Sequence, residues 1–77
     1  MIYIKGITKM HLDQFLKFIG SWNDYVKVEE SLGNLYDITI YHEVPVRLHF
    51  SDHKLLFDIG NRLWWLDKGD YAEVNLF

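Results

Sequence analysis

Apolar positions along the chain change their period once, near Gly20. In "ITKMHLDQFLKFIG", Leu12, Phe15, Leu16 and Ile19 recur at i, i+3, i+4 and i+7, the spacing of one buried helical face. Thr8 is placed to cap that helix, Ile7 and Leu12 occupy the two positions of a hydrophobic staple, and Gly20 marks its end. Lys9, Asp13 and Lys17 stand four apart on the opposite face. Each charge pair there is worth only about 0.2–0.5 kcal/mol, so these residues read as solvated surface.

Everywhere else the period is two. "MIYIK" predicts a first strand with Ile2 and Ile4 on one side and Tyr3 on the other. After the helix, strands are predicted around 25–29, 35–42, 46–50, 55–59, 62–66 and 71–76, joined by hairpin-length turns. The expected fold is therefore a two-layer α+β domain over residues 1–77, one helix packed on an antiparallel β-meander of six to seven short strands. No repeat, linker or low-complexity tract divides it.

Strand faces follow from parity, because slipping a register by one residue turns every side chain over. A two-residue turn at Gly60-Asn61 sets Ile59 against Arg62, Phe57 against Trp64 and Leu55 against Leu66 on the core side, and Leu56 against Trp65 and Asp58 against Leu63 on the other. A four-residue loop over 51–54 places Leu48 and Phe50 inside, with Arg47 opposite Asp58 and His49 opposite Leu56 outside. A three-residue loop with Gly69 at its positive-φ position would bring the last strand beside 62–66, so that Trp65 meets Tyr71 and Leu63 meets Glu73. A hairpin through "SLGN" pairs Val28 with Tyr36 and Lys27 with Asp37. Pro45 leaves "YHEVPV" open between a turn and a bent edge strand, and with a turn there Tyr41 and Thr39 would extend the outer rows.

Adjacent tryptophans in "RLWWLD" thus diverge, Trp64 into the core and Trp65 onto the face away from the helix. That face is expected to gather Trp65, Tyr71, Leu56 and Leu63 inside a rim of His49, Arg47, Asp58, Glu73 and Tyr41. Aromatic side chains bury roughly 150–250 Å² each, and exposed apolar patches of a few hundred Å² commonly serve binding. Burial of about 400 Å² at 25 cal/mol per Å² gives on the order of 10 kcal/mol. Association costs about 4–15 kcal/mol, so this patch alone would bind weakly.

Charge refines the expectation. The chain has 77 residues and net charge −3; four lysines face two aspartates through Lys27, and nine acids face four bases after it. An acidic balance disfavours a phosphate backbone as partner and would complement a basic protein surface. With no cysteine and 49% apolar residues, the chain is expected to be a folded cytoplasmic protein without disulfides. Its apolar runs of about four residues fall far short of the roughly 20 that a membrane helix needs.

Little chemistry is legible. His42, His49 and His53 do not converge under these registers, so no metal is expected. "SDH" at 51–53 reads as loop capping, because consecutive loop residues rarely reach triad geometry. Asp58 and Glu73 would lie roughly 9–10 Å apart across one strand, near an inverting carboxylate pair, but on an open face without a cleft. The expectation is a non-enzymatic, cofactor-free protein-binding module of inhibitor, immunity or accessory type, whose size suits a phage or mobile element. A single-stranded nucleic-acid binder stacking bases on Tyr and Trp is the alternative, and a homodimer through the same face a further one.

Overall fold

The computed structural model describes residues 1–77. Strand β1 (Ile2–Thr8) runs into helix α1 (Lys9–Ile19), and a 3-10 turn over Gly20–Tyr25 leads to β2 (Val26–Glu30) and β3 (Leu35–Ile40). Then come β4 (Arg47–Phe50), β5 (Lys54–Ile59), β6 (Arg62–Asp67) and β7 (Glu73–Leu76). The fold is α+β, with one α-helix and seven strands whose pairings are all antiparallel. No helix is long and apolar enough to cross a membrane.

Local signals act as their chemistry requires. Thr8 caps the helix, its hydroxyl accepting from the His11 amide at 3.4 Å. Gly20 closes it at φ 57°, donating its own amide to the Leu16 carbonyl. Lys9 reaches Asp13 at 2.8 Å on an exposed face. The 3-10 turn is absent from the sequence reading; its Trp22 packs partly buried against the core, 6.1 Å from the Tyr25 ring.

The strands divide into two sheets, ordered β2-β3-β1-β7 and β4-β5-β6, rather than one continuous meander. β1 sits inside the first sheet, with Ile2 and Ile4 facing Ile40 and Ile38 on one side and Leu76 and Val74 on the other. The expected pairing of β7 with β6 is therefore replaced by β7 with β1. Parity allows both, since half-buried Val74 lies on the same side of β7 beside either neighbour, whereas Leu76 is exposed at the end of the strand. What selects β1 is a second free edge lined with isoleucines. At Gly6 (φ 78°) the β1–β3 register shifts, and the Ala72 amide donates to the Lys5 carbonyl at 2.8 Å. A Cβ on Gly6 would lie 2.9 Å from that of Ala72, so this approach requires glycine.

Three finer expectations are corrected alongside it. β2 pairs with β3 two residues from the expected register, Val28 meeting Ile38 and Lys27 meeting Thr39, with side-chain parity unchanged. Pro45 follows a turn over residues 41–44, but that turn joins two sheets instead of closing a hairpin. Residues 41–46 cross between sheets, held by Tyr41 N to Tyr25 O at 3.0 Å and Val44 N to Tyr41 O at 3.1 Å, with Val44 buried. Phe50, expected inside, is 57% exposed at the end of edge strand β4.

One core joins both sheets to the helix. Leu12, Phe15, Phe18 and Ile19 cluster with Ile4, Ile7, Ile38 and Ile40 of the first sheet and Leu55, Phe57, Ile59 and Leu66 of the second. Trp64 binds the halves together, its ring centroid 5.0 Å from Phe57 and 5.6 Å from Phe15, while its Nε1 donates to Gln14 Oε1 at 3.3 Å. Each large side chain buried here contributes about 1.5–3 kcal/mol.

Candidate functional site

The face of the β4-β5-β6 sheet turned away from the core is built by the register that the hairpin turns impose. Gly60 takes φ 60° at the first turn position, and from that turn Asp58 pairs with Leu63, Leu56 with Trp65 and Lys54 with Asp67. On the other side Arg47 pairs with Asp58 and His49 with Leu56. Ser51 fixes the connecting loop, its Oγ accepting from the Lys54 amide at 3.1 Å and donating to the Lys54 carbonyl at 3.2 Å.

Two rows result, His49–Leu56–Trp65 and Arg47–Asp58–Leu63, with Lys54 and Asp67 extending the first end. Leu63 is 59% exposed and Trp65 49%, and Leu56 lies half-buried between the strands. The Lys54 ammonium stands 5.0 Å from the Trp65 ring centroid, a cation–π contact that props the indole on the surface. His49 Nε2 is 3.7 Å from Asp58 Oδ2. Arg47 and Lys54 balance Asp58 and Asp67, so this face carries mixed charge rather than the acidic excess of the chain.

The structure therefore brings together six of the expected residues: Trp65, Leu56, Leu63, His49, Arg47 and Asp58. Three lie elsewhere. Glu73 pairs with Lys5 in the other sheet, so no carboxylate pair spans the Leu63 strand. Tyr71 packs against the core, and Tyr41 lies in the crossing between sheets. All three misplacements have one cause: their neighbours were inferred from strands adjacent in sequence, and the chain changes sheet at both junctions.

Lys54 and Asp67 were missed, although their parity with Leu56 and Trp65 carries the signal. Two clefts border the face. One of about 350 Å³ is lined by Pro45, Arg47, Asp58 and Gly60. The other, about 260 Å³, lies beside β6 among His11, Gln14, Trp64, Trp65, Asp67 and Asp70. There His11 Nε2 stands 3.5 Å from Asp70 Oδ2. No sequence pattern announces this cleft, because Gln14 and Trp64 are separated by 50 positions.

Histidines 42, 49 and 53 stay dispersed, His42 beside Glu43 at 3.6 Å and His49 beside Asp58. No family model, curated protein or solved structure matches this chain.

Proposed function

We propose that the protein is a non-enzymatic binding module that engages another protein through the outer face of β4-β5-β6. One observation carries this reading: Leu63 and Trp65, exposed by 59% and 49%, adjoin Leu56 on a regular sheet inside a rim of Arg47, Lys54, Asp58 and Asp67. A Trp among aliphatic side chains with a charged surround is the composition of an interface centre. The balance of charge means that the contact draws on apolar burial, and the rim supplies orientation.

A second reading, single-stranded nucleic acid stacked on Trp65, is favoured by Lys54 and Arg47 sharing its face. Tyr71, which would have supplied a second stacking ring, packs against the core instead.

Capture from host lysate tests the first reading, comparing wild type with Trp65→Ser and Leu56→Ser at low and high salt. A protein retained by wild type at both salt concentrations and lost from both variants is the expected result. Equal recovery from all three defeats the reading. Tight, steeply salt-dependent binding of an oligothymidine would favour the second one instead.

A further inference from the structure

We propose that the free edge of β6 pairs with the same edge of a second copy of this chain, forming an antiparallel dimer through a two-fold axis at Trp64. β6 is an edge strand of its sheet, and three hydrogen bonds reveal which of its backbone groups point outward. Lys68 donates its amide to the His53 carbonyl at 3.0 Å, so the even-numbered positions of this strand bond toward β5. Asp67, of odd parity, donates its amide away from β5 to Asp70 Oδ2 at 3.0 Å, and its carbonyl accepts from the Asp70 amide, also at 3.0 Å. Asp70 thus closes the edge at Asp67. Leu63 and Trp65 share its parity, and their outward N–H and C=O groups have no partner.

The other edges are blunted in ways that discourage strand addition. β2 carries Lys27, Glu29 and Glu30 in five residues. β4 and β7 have four residues each, and Pro45 lies just ahead of β4. β6 is six residues long, holds no proline and exposes a leucine and a tryptophan beside its unpaired groups.

Self-complementarity identifies the occupant as a second copy. With the axis at Trp64, Leu63 of each copy faces Trp65 of the other, and the two pairs exchange about four backbone hydrogen bonds. Arg62 then opposes Leu66, and Asn61 opposes Asp67, so no like charges meet. An axis at Trp65 would set Leu63 against the already closed Asp67 and Arg62 against Lys68. In the first register both outer faces lie on one side of a continuous six-stranded sheet. The row His49–Leu56–Trp65 of one copy continues into Leu63–Asp58–Arg47 of the other. Dimerisation goes beyond the partner-binding reading and does not depend on it.

Sedimentation velocity from roughly 10 µM to 1 mM tests the proposal, the range suited to an interface this small. The wild type is expected to move from 9.3 kDa toward twice that mass, with amide exchange at Leu63 and Trp65 slowing at least tenfold. Leu63→Pro removes one outward donor and leaves the β5–β6 bonds intact, so dissociation should become at least tenfold easier. Leu63→Lys, which keeps the backbone donor but charges the edge, gives the same result should the proline variant fail to fold. A wild type that stays at 9.3 kDa throughout, dimers undiminished in both variants, or unchanged exchange at the two amides overturns it. Leu56→Ser lies off this edge and leaves the dimer intact, which separates this outcome from the partner-capture result.

Discussion

Trp64 and Trp65 leave the same strand on opposite faces: the first packs among Phe15, Phe18 and Phe57, while the second stands on the surface under Lys54. Their substitutions should separate stability from binding. Trp64→Ala is expected to cost about 3–5 kcal/mol, the range for emptying a large aromatic site in a core. Trp65→Ser should cost about 1 kcal/mol or less, since it removes a half-exposed ring and one surface cation–π contact. Urea unfolding followed by circular dichroism measures both, and equal losses would contradict the divergent placement.

Gly6 and Ala72 test the junction that draws β7 onto β1. Gly6→Ala is expected to destabilise by about 1–3 kcal/mol, because φ is positive and the added methyl meets Ala72. Ala72→Gly should recover the contact part of that loss but not the backbone part. A double-mutant cycle reads the coupling directly, and strict additivity would mean that the two residues do not touch.

Tyr3 and Asp37 make stability pH-dependent on the alkaline side. The Tyr3 hydroxyl donates to Asp37 Oδ2 at 3.2 Å. Desolvation at its site raises its pKa above 10.0, as do that hydrogen bond and the charges of Asp37, Glu29 and Glu73. A raised folded-state value means that the native state holds the proton longer than the unfolded chain. The contribution is complete below the unfolded pKa and disappears as pH rises through the folded one. Thermal unfolding from pH 8 to 12 should therefore show a decline above pH 10 that is shallower in Tyr3→Phe. Lys9 and Lys27, raised first by hydrogen bonds to Asp13 and Glu29, add declines of the same sign to both proteins. The difference between the curves isolates Tyr3.

Thr8→Ala removes the oxygen that receives the His11 amide. The 3.4 Å separation is long, so the loss should fall in the lower half of the usual range for a cap, about 0.5–1 kcal/mol. Thr8→Ser should retain most of that stability in the same unfolding measurement.

Sequence alone determined the helix, its cap and stop, and the inward or outward sense of the side chains in β5, β6 and β4 as far as His49, with Phe50 exposed instead. These depend on short-range geometry: the 3.6-residue turn, the two-residue pleat, and the short turns that set the β4–β5 and β5–β6 registers. Six residues of the candidate face were legible for that reason; Lys54 and Asp67 share the same parity but lie outside the sequence-based set. Tertiary structure decided which strands became neighbours. Period two states which way Val74 points but not whether Arg62 of β6 or Ile4 of β1 lies beside it, since either strand can receive β7 with the same parity. The choice rests on contacts between segments about seventy residues apart, Ile2 with Leu76 and Lys5 with Glu73, which bury β1 between two partners. That long-range pairing took Tyr71 and Glu73 from the face beside Trp65 and left the edge of β6 free.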